Sequence, residues 1–286
     1  MFRKVLRKTK KLRLSLGRLF AFHRHENINP VIVYQMGKVG SSTVVISVTE
    51  ALKKNNIHVP VHHIHILNNL DRVEQTVRAT SERPNAAGTL LGIDQGRKLL
   101  KKIIKNPGQR WNLITLVRDP IAQNVGAFCH NMHEYFPDWR SDFDKGILTI
   151  EKLQEFFLEK YSHVGTKIWF ERQMEPVWGI NVYATPFPKD VGYKVYHSPQ
   201  ADLLLIRLED LDKIGAKALE EFLGIRSIEI IKQNSAEQKD YRDIYLKFKQ
   251  TPLPVNFIDE MYNSRYMGHF YTQVESNEFR RYWSCG

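Results

Sequence analysis

The chain of 286 residues has little of what marks several protein classes. Its two cysteines, Cys129 and Cys285, lie far apart, which gives neither a disulfide framework nor the CxxC spacing of a zinc site. We therefore expect a reducing, cytoplasmic compartment. No run of about 18 apolar residues occurs, so the sequence predicts no membrane-spanning helix. The composition, 42% apolar and 26% charged, is typical of a globular protein rather than a disordered one.

Acidic residues are nearly absent from the first 28 residues. This segment holds nine Lys or Arg residues and one acid, Glu26, whereas the rest has 33 basic and 30 acidic residues. Its apolar residues recur at helical spacing, and a basic amphipathic helix suits an anionic membrane surface. We predict a basic amphipathic leader at residues 1–28, in peripheral contact with the inner face of a membrane. A solvated tail and an organellar transit peptide are the alternatives. We expect no nucleic-acid partner, because no DNA or RNA module accompanies the charge.

Residues 29–286 alternate short apolar runs with helical stretches, which predicts one α/β domain. Continuous apolar runs are typical of strands in a parallel sheet that helices cover on both faces, so we expect a three-layer fold. The strand candidates are Val31–Tyr34, the β-rich Val59–Leu67, Trp111–Val117 and Leu203–Leu208. Asp94 and the periodic residues after it predict an Asp-capped helix over residues 94–105, and residues 235–249 also predict a helix.

The most informative segment follows the first strand and reads Gly-Lys-Val-Gly-Ser-Ser-Thr over residues 37–43. Gly37 and Gly40 allow the backbone to fold closely around an anion, and the next helix directs free N–H groups toward it. Lys38 adds a charge, and the three hydroxyls add donors. Because Lys38 is not followed by Ser or Thr, this is not a Walker A loop and implies no magnesium site. An ordinary strand–turn–helix connection is the weaker interpretation.

The segment 37–43 resembles the 5′-phosphosulfate loop of sulfotransferases, which use 3′-phosphoadenosine 5′-phosphosulfate (PAPS). Leu113–Pro120, a strand that ends in Arg118 before a Pro-led helix, resembles their second cofactor element. Gly179–Tyr183 and Arg265–Tyr271 resemble the bacterial capsular polysaccharide synthesis proteins, a sulfotransferase-like family. The resemblance implies a P-loop NTPase-like sulfotransferase topology, PAPS as sulfuryl donor, no metal, and a glycan or polysaccharide acceptor.

The resemblance also implies which residues bind the nucleotide, and two positions depart from it. In the family, an Arg at position 118 and a Ser eight residues later hold the 3′-phosphate. Gly126 stands here in place of that Ser, and Gln123 stands where Arg is expected. The loss of one hydrogen bond to a phosphate costs roughly 1.5–3 kcal/mol. Two alternatives therefore stay open: a non-catalytic protein that binds a glycan or partner, and another phosphate-handling transferase. The implied cofactor-binding residues are Gly37, Lys38, Gly40, Ser41, Ser42, Thr43, Arg118 and Gly126.

Sulfuryl transfer to an alcohol needs positive charge at the leaving phosphate and a base for the hydroxyl proton. Lys38 is predicted to supply the charge. His63 and His65 share one face of the second strand. The resemblance to polysaccharide sulfotransferases favours His65 as the base, with His63 second. Glu171, which lies between Phe170 and Arg172, is the fallback base. We expect no metal site, because the His-x-His pair has no convincing third ligand.

Overall fold

The structure is a computed structural model that describes residues 28–79, 86–233 and 239–285. The predicted leader lies outside the described residues except for Ile28. Within the described ranges, no helix is both long and apolar enough to cross a bilayer.

Five strands form one sheet in the order β2-β1-β3-β5-β4. The strands are β1 Val31–Tyr34, β2 Val61–Ile64, β3 Trp111–Val117, β4 Tyr193–His197 and β5 Ala201–Arg207. Four of them are parallel, as predicted. The expectation of an entirely parallel sheet is wrong at the edge, where β4 pairs antiparallel with β5. Only three residues join these two strands, and so short a connection permits antiparallel pairing alone.

The central strands are covered on both faces. Every residue of β1 and β3 is buried, although consecutive side chains point to opposite faces. This burial explains why their sequences read as continuous apolar runs, and it confirms the α/β prediction of a sheet with helices packed against it. The P-loop NTPase-like topology stays a prediction.

Helices connect the strands and complete the chain. In chain order they are α1 Ser41–Lys54, α2 Leu70–Ala79, α3 Ala86–Lys105, α4 Pro120–His130, α5 Met132–Tyr135, α6 Trp139–Asp144, α7 Ile150–Glu159, α8 Val164–Trp169, α9 Glu175–Trp178, α10 Leu211–Leu223, α11 Arg242–Lys249, α12 Val255–Tyr262, α13 Arg265–Phe270 and α14 Gln273–Cys285. A π-helical turn, Phe170–Met174, links α8 to α9.

Two helix boundaries differ from the predictions. The helix expected to start at Asp94 already begins at Ala86, in a segment where alanines and leucines, which favour a helix, alternate with Gly88 and Gly92, which do not. Asp94 lies in its exposed middle and pairs with Lys98 one turn later, so it is not a cap. The helix expected over 235–249 is α11, and residues 234–238 before it lie outside the described residues.

The strand order fixes where a ligand can bind. From β1 the chain passes through α1 to β2 on one side, whereas from β3 it continues to β5 on the other. The order therefore reverses between β1 and β3. In open α/β sheets the crevice at such a reversal, at the carboxyl ends of the strands, is the usual ligand site.

Candidate functional site

A cleft of about 700 Å³ opens at the carboxyl ends of β1 and β3. Nearly all the residues predicted from sequence meet there. Those that line the cleft are Gly37, Lys38, Gly40, Ser41, Ser42, His63, His65, Arg118 and Gly126. The opposite wall consists of the end of α4 and of residues 239–249, which include α11. Two distant parts of the chain therefore enclose one space.

The loop between β1 and α1 has the unusual backbone that the glycines suggested. Gly40 has φ +90°, a conformation in which other residues are strained, and a Cβ there would lie 2.6 Å from Leu208 Cδ1 and displace that side chain. Lys38 also takes a left-handed conformation, with φ +65°. Such strain in a residue other than glycine is typical of functional loops that their surroundings hold in place.

Two side chains hold the carbonyl groups of this loop. Arg118 Nη1 donates to the Lys38 carbonyl at 2.9 Å, and Gln123 Nε2 donates to the Gly37 carbonyl at 2.9 Å. Gln123 Oε1 in turn accepts a hydrogen bond from Thr166 on α8. Gln123 therefore tethers the loop, which explains structurally why an uncharged amide occupies a position where a cation was expected.

Arg118 is fixed by its backbone, which leaves its charge facing the cleft. The Tyr266 hydroxyl bonds both the N–H and the carbonyl of Arg118 at 3.0 Å. Asp119 is the N-cap of α4, and its carboxylate accepts hydrogen bonds from Tyr262 and Trp283. Among the described residues Arg118 makes no ion pair. Its guanidinium donates one hydrogen bond to the Lys38 carbonyl, and its remaining N–H groups are available to an anion.

The cleft carries concentrated positive charge. It is lined by Lys38, Arg118, Lys239 and Lys249, and by no carboxylate among the described residues. Burial, followed by the charges of Lys239 and Arg118, lowers the pKa of Lys38 to about 8. A bound anion would relieve this repulsion and stabilise the protonated amine.

His65 is held in one tautomer. Its Nδ1 lies 2.8 Å from the Gln35 carbonyl, which can only accept, so Nδ1 carries the proton and Nε2 is left as an acceptor. Burial in the cleft wall lowers the pKa of His65, and the charge of Lys38 adds to this effect. The His63 ring lies 4.7 Å away, centroid to centroid. Burial and the neighbouring His65 lower the pKa of His63 to about 4.

Two predicted residues do not line the cleft. Thr43 is buried, and its hydroxyl accepts a hydrogen bond from the Gln233 N–H at 3.2 Å, so it holds a neighbouring segment. Glu171 lies 3.7 Å from Arg265, and neither of these two residues lines the cleft. This position supports a histidine rather than Glu171 as the base.

Sequence reasoning missed the opposite wall. The missed residues are Ala127, His130, Asn131, Lys239, Tyr241, Tyr245, Leu246 and Lys249. Three of them, Tyr241, Tyr245 and Lys249, recur every four residues, from the N-cap of α11 along one face of that helix, and this recurrence is their local signal. This spacing indicates an amphipathic helix, but it does not indicate which part of the chain the helix packs against.

Comparison with known proteins supports one part of the resemblance. Residues 138–272 match a family model described as "Putative capsular polysaccharide synthesis protein". No curated protein and no solved structure matches the chain. The family match covers just under half of the chain and includes Gly179–Tyr183 and Arg265–Tyr271. It begins after the loop 37–43, Arg118 and Gly126, so the chain is similar to this family in the part that follows the nucleotide-site candidates.

Proposed function

We propose that the cleft binds PAPS and transfers its sulfuryl group to a hydroxyl of a glycan or polysaccharide. The observation that carries this proposal is that Lys38, Arg118 and the Nε2 acceptor of His65 meet at one cleft. Among the described residues, no carboxylate lines this cleft. Cations and free N–H groups suit the anionic donor, and a neutral imidazole suits the alcohol.

The donor set fits a nucleotide that carries phosphate and sulfate. Gly37, Gly40 and the first turn of α1 offer backbone N–H groups, and Ser41 and Ser42 offer hydroxyls. Arg118 would hold a second anionic group of the same nucleotide. In PAPS that second group would be the 3′-phosphate.

Lys38 and His65 have different roles in the proposed transfer. The acceptor oxygen forms a bond to sulfur as the bond from sulfur to the 5′-phosphate oxygen breaks. His65 Nε2 accepts the proton of the acceptor hydroxyl, and Lys38 neutralises the charge that develops on the departing phosphate. Gln35 holds the imidazole in the tautomer that this transfer needs.

The acceptor class rests on the family match. A description that names capsular polysaccharide synthesis favours a polysaccharide hydroxyl as the acceptor. Synthesis of such polymers at the inner face of a membrane would suit a cytoplasmic enzyme whose basic leader contacts that membrane.

Calorimetric titration with 3′-phosphoadenosine 5′-phosphate, compared with 5′-AMP, tests the nucleotide. We expect binding that requires the 3′-phosphate and that Arg118→Ala weakens roughly 10- to 100-fold, the effect of losing a charged hydrogen bond. Arg226→Ala, an exposed arginine outside the cleft, is the matched control and should bind as the native protein does.

Gly126 lacks the hydroxyl that the resemblance implies for binding a 3′-phosphate. Its absence favours a second candidate, a transferase whose nucleotide has no 3′-phosphate. Equal affinity for the two nucleotides would contradict PAPS as the donor and support this candidate. Binding of neither nucleotide would favour a non-catalytic protein that binds a glycan or partner.

Gly126→Ser measures what the missing hydroxyl contributes. A Cβ at position 126 would lie 3.6 Å from Arg118 Nη1 and 3.7 Å from Lys38 Cβ, which are ordinary contacts, so serine fits. We expect the serine to tighten binding of the 3′-phosphorylated nucleotide by about one decade, through one hydrogen bond to phosphate. Gly126→Ala is the control because it adds the carbon without the hydroxyl. Equal affinities of the two variants would show that no phosphate lies beside position 126.

A further inference from the structure

The turn between β3 and α4 is held by side chains from distant parts of the chain. Arg118 follows the last residue of β3, and α4 begins at Pro120, so the main chain between them belongs to neither element. The Tyr266 hydroxyl accepts a hydrogen bond from the Arg118 N–H and donates one to the Arg118 carbonyl, both at 3.0 Å. The Glu209 carboxylate accepts a hydrogen bond from the Asp119 N–H at 2.8 Å. Side chains therefore satisfy main-chain groups at the point where the sheet ends.

The side chains that hold this turn belong to one polar network within an aromatic layer. The Tyr271 hydroxyl donates to the second oxygen of Glu209 at 2.9 Å, and the Asp119 carboxylate accepts hydrogen bonds from Tyr262 and Trp283. The three aromatic side chains and Asp119 are buried. A buried hydroxyl lowers stability unless it is hydrogen-bonded, and phenylalanine would fill the same space without that cost. Packing alone therefore does not explain the tyrosine hydroxyls.

The network connects the part of the chain that matches the family model to the cleft. Tyr266 and Glu209 lie within the matched range, whereas Arg118 precedes it. Arg118 lines the cleft, and its Nη1 donates to the Lys38 carbonyl at 2.9 Å. A shift of the main chain at position 118 would therefore displace both the guanidinium and its contact with the loop 37–43.

We propose that Tyr266 is a positioning residue, which holds the main chain of Arg118 so that the guanidinium meets an anionic group of the nucleotide. One hydroxyl that bonds both the N–H and the carbonyl of the same residue fixes the place and the rotation of that stretch of main chain. Tyr266 itself does not line the cleft, so it acts through Arg118. The inference rests on the proposed function, because it concerns how the proposed nucleotide site is held.

Tyr266→Phe tests this role because it removes the hydroxyl and keeps the ring, which packs 5.1 Å from the Phe270 ring, centroid to centroid. In calorimetry with 3′-phosphoadenosine 5′-phosphate we expect the Kd to rise roughly tenfold. Tyr34→Phe is the matched control, since it also removes a buried hydroxyl, one that donates to Gln173 at 2.8 Å. The control should lower the melting temperature to a similar extent and leave the Kd unchanged.

A double-mutant cycle with Arg118→Ala separates positioning from a general loss of stability. In the Arg118→Ala background, Tyr266→Phe should change the Kd by less than about twofold, because no guanidinium is left to position. The same loss of affinity in both backgrounds would show that Tyr266 acts on the fold rather than on Arg118, which would overturn the proposal. An unchanged Kd of Tyr266→Phe in the native background would overturn it as well.

Pyrophosphate, used as a second probe in the same cycle, distinguishes this inference from the choice of PAPS as donor. A native protein that binds pyrophosphate but not the 3′-phosphorylated nucleotide would contradict PAPS, and the cycle with pyrophosphate would then decide the role of Tyr266. A native protein that binds neither probe would overturn both proposals, because Arg118 would then meet no anion.

Discussion

Lys38→Ala is expected to lower kcat by about 10²–10³-fold, the usual effect of removing one group that stabilises transition-state charge. The affinity for the desulfated nucleotide should change much less, because Arg118 and the N–H groups of the loop remain. Measurement of kcat with a glycan acceptor, beside calorimetry with 3′-phosphoadenosine 5′-phosphate, separates the two effects. An unchanged kcat would exclude Lys38 from the transfer step.

The loss of Lys38 should not unfold the protein. Burial and the charges of Lys239 and Arg118 disfavour its protonated form, since they lower its pKa from 10.5 to about 8. The unfolded chain therefore binds more protons between these values, and stability from this group rises with pH there. At neutral pH the charged amine destabilises the fold, so Lys38→Ala should keep or raise the melting temperature. Lys239→Ala is a useful comparison, because it removes a nearby cation of the cleft without touching the loop.

The strand–turn–helix over residues 31–54 and the central strands were predictable because their signals are local. The strands β1 and β3 are buried on both faces, so continuous apolar sequence identifies them. Gly37, Lys38 and Gly40 lie within four residues of one another, and their positions follow from the strand–turn–helix pattern. The choice of His65 came from the resemblance to polysaccharide sulfotransferases, and the structure places this residue at the cleft, directly after the end of β2 at Ile64.

What the sequence could not reveal depends on contacts between distant segments. Lys239 and Tyr245 reach the cleft because α11 packs against α4 and α7, and no local pattern encodes that packing. In the sequence, Gln123 stands where the resemblance implies an arginine. In the structure, its amide donates to the Gly37 carbonyl and accepts a hydrogen bond from Thr166, so it connects the loop to α8. Strand β4 was missed because it is a half-covered edge strand, whose side chains do not form a continuous apolar run.

His65→Gln is expected to lower kcat by roughly 10²–10⁴-fold, the usual contribution of a general base. The native rate should follow a bell-shaped curve against pH. The rate should rise with pH as His65 loses its proton, at a pKa that burial holds below the ordinary 6.5. It should fall again as Lys38 loses its proton, at a pKa of about 8 in the free protein. Bound anion raises the Lys38 pKa, so the fall in kcat should lie at higher pH than the fall in kcat/KM.

His63→Gln is the control that distinguishes the two histidines. Its ring lies beside that of His65, but no backbone carbonyl fixes its tautomer among the described contacts. If His65 is the base, His63→Gln keeps the acid side of the pH profile and most of the rate, whereas His65→Gln loses both. The reverse result would assign the proton transfer to His63, whose pKa of about 4 would place the acid side correspondingly lower. A profile that neither variant changes would remove both histidines from the mechanism, because a base that accepts the acceptor proton must titrate in the rate.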